Sequence, residues 1–113
     1  MDMDEVRVEW TKEQFKAYLL IYAANANFLE TDEEHEVILS KVDQEDYKKM
    51  HREYEHDNDF QRLQKILAAV EKFGYSKEDL SALREDIRQV INAEGYHDEL
   101  EENMYLYLRK IIS

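Results

Sequence analysis

The chain has 113 residues, with 27 Asp and Glu against 15 Lys and Arg, a net charge of −12. Its 43% apolar complement is enough for one hydrophobic core and too little for two. The absence of cysteine excludes disulfide frameworks and thiolate metal sites, and the acidic balance argues against nucleic acid or an anionic membrane as a partner.

The N-terminal stretch Met1-Asp2-Met3-Asp4-Glu5 is acidic and lacks the apolar centre of a secretory signal, so a cytoplasmic protein is expected. Residues 1–10 read as an N-terminal arm in which only Val6, Val8 and Trp10 have packing potential. Residues 11–113 read as one helical domain. With no proline and two glycines, and with Glu, Leu, Ala, Lys, Gln and Arg abundant, propensity favours helix nearly throughout.

Thr11 and Gln14 have the spacing of a capping box, flanked by Trp10 and Phe15 as a hydrophobic staple, so a helix opens here. Phe15, Tyr18, Leu19, Tyr22 and Ala26 share one face, and Leu20, Ile21, Ala23 and Ala24 fill the flanks. A helix apolar almost all round belongs at the centre of a bundle. Its apolar run, Ala17 to Ala24, spans eight residues, far short of a bilayer, so no membrane insertion is expected. Thr31 and Glu34 repeat the capping box before a second helix with Ile38, Leu39 and Val42. Asp43 caps a third, whose stripe of Tyr47, Met50 and Tyr54 is narrow.

Asp57 or Asn58 opens the fourth helix, with Phe60, Leu63, Leu67 and Val70 as its expected core face and Ile66 and Phe73 beside it. Gly74 stands where a left-handed residue closes a helix. Ser76 and Asp79 begin the fifth, with a Tyr75–Leu80 staple and a stripe of Leu80, Leu83, Ile87 and Val90 or Ile91. Gly95 ends it. Asp98, with Glu101 three residues on, starts a sixth, whose core positions are Leu100, Met104, Leu108 and Ile111. Short connections fit antiparallel neighbours. The expectation is an all-α, single-domain bundle of about six antiparallel helices.

A shift of 67 residues brings Asn25–Thr31 onto Asn92–Asp98, cap on cap, with Glu34 on Glu101. Each unit is a helix end, a tight polar turn and a freshly capped acidic helix. Together they predict a pseudo-duplicated helix-turn-helix. Leu20-Ile21-Tyr22-Ala23-Ala24-Asn25-Ala26-Asn27 before Thr31-Asp32-Glu33-Glu34, and Val90-Ile91-Asn92-Ala93-Glu94-Gly95 before Asp98-Glu99-Leu100-Glu101-Glu102, resemble the two halves of the tellurite-resistance TerB-like family. Asn27 and Glu94 stand where that pattern has Asp, and Phe28 where it has Gly. The resemblance implies an all-helical bacterial protein acting in stress response, in ion or metal sensing, or as an interaction module. It also implies a candidate metal site at the acidic turns.

Those turns offer Asn27, Glu30 and Glu34 on one side and Glu94, Asp98 and Glu101 on the other. Such oxygen-rich sets suit Ca2+ or Mg2+, which need several carboxylate or carbonyl ligands gathered together. Capping explains the same residues differently: Glu34 and Glu101 occupy the third position of a capping box, and acidic neighbours favour the positive helix end. Neither turn has the spacing of a calcium-binding loop.

Glu53-Tyr54-Glu55-His56 carries the Glu-x-x-His spacing of di-iron bundles, echoed by Asp32-Glu33-Glu34-His35. It opens an alternative reading as a metalloenzyme, although its surroundings are densely charged and point to a solvated face. No catalytic constellation is visible: there is no cysteine nucleophile or glycine-rich phosphate loop, and no serine has a histidine at a suggestive position. Residues 30–59 carry twelve acidic and four basic side chains, net −8 of the chain's −12. That surface would steer a basic protein partner, or simply keep the protein soluble. The leading expectation is a non-catalytic acidic module that binds a divalent ion at the paired turns. The alternative is an adaptor that binds protein without metal.

Overall fold

A computed structural model describes residues 7–25 and 31–93. The described residues are all-helical: α1 (Lys12–Ala24), α2 (Asp32–Leu39), α3 (Gln44–His56), α4 (Asp59–Phe73) and α5 (Lys77–Ile91). The expected sixth helix, the second acidic turn and hence the pseudo-duplication lie outside the described residues.

Each helix starts where a polar side chain accepts an otherwise unpaired amide. Thr11, Thr31, Asn58 and Ser76 form reciprocal capping boxes with Gln14, Glu34, Gln61 and Asp79, and Asp43 accepts from the Glu45 amide. Asn58, rather than Asp57, is the cap of α4. Gly74 closes that helix at φ 57°, in the left-handed region glycine enters without steric cost.

α1 is the hub. Phe15, Ala17, Tyr18, Leu19, Leu20, Ile21, Ala23 and Ala24 are all buried, and α2, α3, α4 and α5 each pack against it. α3 seats Met50 and Tyr47 in the core, Ile38 anchors α2, and Leu83, Ile87, Val90 and Ile91 anchor α5. The narrow apolar stripe of α3 therefore suffices, because its one fully enclosed side chain, Met50, lands against the most apolar helix.

In the N-terminal arm, Val8 and Trp10 are buried. The Trp10 ring stacks on Phe15 at 6.2 Å between centroids and lies 4.5 Å from Tyr18. Lys72 Nζ donates to the Val8 carbonyl at 2.8 Å, tying this strand of chain to α4.

The core face of α4 departs from expectation. Phe60 is 68% exposed and Leu67 45%, whereas Ile66 and Ala69 are fully buried. The sequence of α4 offers two apolar stripes, one through Phe60, Leu63 and Leu67 and one through Ile66, Ala69 and Phe73. Arg62 and Lys65 lie on the second stripe's side and find anionic and carbonyl partners there. Those polar anchors turn the second stripe inward and leave Phe60 and Leu67 outside.

Candidate functional site

Of the six residues expected at the acidic turns, Asn27, Glu30, Glu94, Asp98 and Glu101 lie outside the described residues. Glu34 is buried, and its Oε1 accepts from the Thr31 amide at 2.9 Å while Thr31 Oγ1 accepts from the Glu34 amide at 3.1 Å. Among the described residues no three His, Asp or Glu side chains are gathered in a way that could hold a metal ion.

Glu53 and His56 diverge in role. His56 is exposed on the last turn of α3. Glu53 is occupied: Trp10 Nε1 donates to its Oε2 at 3.1 Å, and Lys65 Nζ lies 2.8 Å from the same atom. The Glu-x-x-His spacing thus marks a structural carboxylate beside an unrelated surface histidine.

Glu53 belongs to a polar cluster that joins the arm, α1, α3 and α4. Lys65 Nζ also meets Asp57, 2.8 Å from Oδ2, and Asp57 is only 7% exposed. Tyr18, fully buried at the centre of α1, donates its hydroxyl to Asp57 Oδ2 at 2.8 Å. One lysine therefore bridges two carboxylates, and the tyrosine and indole donate to remaining acceptor positions. Arg62 completes the corner. Its Nε and one terminal nitrogen donate to the Tyr54 carbonyl at 3.0 and 2.7 Å, and its guanidinium lies 3.8 Å from the Tyr54 ring centroid.

Burial and the adjacent Asp57 carboxylate push the Tyr18 hydroxyl well above the ordinary tyrosine range. Burial opposes the charge on Lys65, but Asp57 and Glu53 more than offset it and hold the ammonium above its usual value. The cluster is closed by its own bonds, and its chemistry is that of a latch. Sequence reasoning missed it because its partners are scattered: Trp10 and Glu53 are 43 residues apart, and Tyr18 and Asp57 are 39 apart.

A second polar cluster ties α5 to the rest. Asp86 receives Lys41 at 3.1 Å and Lys16 at 3.3 Å, and Lys41 also donates to Gln89. Where α2 meets α3, His35 Nδ1 lies 3.0 Å from the Tyr47 hydroxyl, the His51 ring stacks on Tyr47, and His51 Nδ1 is 3.2 Å from Glu55.

These bonds sort the charges. Lys16, Lys41, Arg62, Lys65 and Lys72 all direct their nitrogens at partners in the body of the protein. Asp32, Glu33, Glu36, Asp43, Glu45, Glu55 and Asp59 are exposed. Lys48, Lys49 and Arg52 are exposed among them on α3, so this surface is mixed in sign with carboxylates in excess.

No helix among the described residues is long and apolar enough to cross a membrane. No protein-family model, curated protein or solved structure matches the chain.

Proposed function

We propose that this protein is a non-catalytic helical interaction module whose acidic surface receives a basic protein partner. The observation that supports this reading is the excess of exposed carboxylates, Asp32, Glu33, Glu36, Asp43, Glu45, Glu55 and Asp59, over the exposed cations Lys48, Lys49 and Arg52 in the same segment, with Lys41 drawn to Asp86. Such a surface raises the local concentration of a basic partner and speeds its encounter. A cytoplasmic location and kinship with TerB-like proteins are part of the same proposal. An all-helical described portion with a central apolar helix accords with that kinship.

The version without metal is preferred, because Glu34, the one described member of the expected ligand set, is buried with its carboxylate on the Thr31 amide. Ca2+ or Mg2+ binding at the two turns is the competing proposal, resting on the remaining five residues. Thermal melting separates the two, since a ion that binds only the folded state raises its melting temperature. Unchanged melting at millimolar Ca2+ and Mg2+, together with a protein partner released by salt and indifferent to chelator, is the expected result. A partner retained only when the divalent ion is present would overturn it.

A further inference from the structure

Resting on that reading, we propose that the outward face of α4 is the docking surface and that its occupant is a basic amphipathic helix of a partner protein. Phe60 and Leu67 are the two large apolar side chains most open to solvent among the described residues, at 68% and 45% exposure. Their seven-residue spacing puts them on one side of α4, two turns or about 10 Å apart. That is the separation at which a partner helix sets successive apolar anchors.

Charge selects the occupant. Two cations of α4 are engaged by the body, Arg62 at the Tyr54 carbonyl and Lys65 at Glu53 and Asp57, and the exposed Lys72 reaches back to the Val8 carbonyl. Asp59, 92% exposed at its side chain, and the exposed Glu71 remain beside Phe60 and Leu67. Asp59 shares Arg62 at 2.8 Å yet stays open to water. An apolar stripe edged by carboxylates complements a helix with apolar anchors and flanking Lys or Arg. A second copy of this chain, itself of net charge −12, is disfavoured by repulsion.

The test uses the full chain and a fluorescent synthetic Lys/Leu peptide of about 18 residues patterned as an amphipathic helix, with a scrambled peptide of equal composition as control. Fluorescence anisotropy at physiological salt is expected to show binding of the patterned peptide. The Phe60→Ser/Leu67→Ser double variant should bind it at least about tenfold more weakly. Both replaced side chains are exposed, so its melting temperature should be kept, which shows that the loss is local.

Equal affinity for the double variant, or for the scrambled peptide, would overturn the α4 assignment while leaving the acidic-module reading standing. Failure of the wild-type protein to bind either peptide would overturn both. A wild-type dimer in sedimentation that the double variant dissolves would overturn the proposal in favour of a second copy as occupant.

Discussion

Lys65 reaches Asp57 at 2.8 Å, and the aspartate it neutralises is nearly sealed from solvent while the lysine keeps some exposure. Removing the lysine strands a buried charge. Lys65→Met should therefore cost about 2–3 kcal/mol in urea unfolding, below the full cost of breaking a buried pair because of the lysine's partial hydration. Asp57→Asn keeps an acceptor for the Tyr18 hydroxyl and should cost about 1 kcal/mol. A Lys65→Met protein as stable as the wild type would show that the latch holds nothing.

The same cluster, together with the separate Tyr75, sets the response to alkali. Tyr18, Lys65 and Tyr75 all have pKa values raised by folding, Tyr75 to about 12 through burial and the nearby Asp79 and Glu13 carboxylates. The folded state thus holds these protons more tightly than the unfolded state does. Their contribution is complete below the ordinary values of 10.0 and 10.5 and is lost as pH climbs through the raised ones. Melting temperature should fall steadily above pH 10, and Tyr18→Phe should make that fall shallower. Identical pH profiles for the two proteins would remove Tyr18 from this account.

Gly74 is required by its backbone rather than by space. At φ 57° a side chain is strained, yet a Cβ built there meets nothing within 4 Å. Gly74→Ala should cost about 1 kcal/mol, and Gly74→Asn less, since asparagine tolerates the left-handed region. Equal melting temperatures for all three proteins would mean that the α4–α5 turn has another conformation.

Much of this architecture is written locally in the sequence. Thr11, Thr31, Asp43 and Ser76 announce helix starts because a cap needs only a side-chain oxygen and an amide two or three residues away. α1 is legible as the hub because it is apolar on every side. The face of α4 is not, because two stripes compete and the choice depends on anions contributed by residues 53 and 57. Phe60 and Leu67, read locally as core, are for that reason the exposed large apolar side chains of the described fold. The Glu53-x-x-His56 spacing misleads for a related cause: Glu53 is already held by Trp10, 43 residues away.

The orientation of α4 underlies both the latch and the proposed docking surface. Urea unfolding of Ile66→Ala and Leu67→Ala, neighbours in sequence of which the first is buried and the second exposed, tests it most directly. Ile66→Ala should lose about 2–4 kcal/mol by opening a core cavity, and Leu67→Ala should stay within about 0.5 kcal/mol of wild type. Leu67→Ala costing as much as Ile66→Ala would contradict the account.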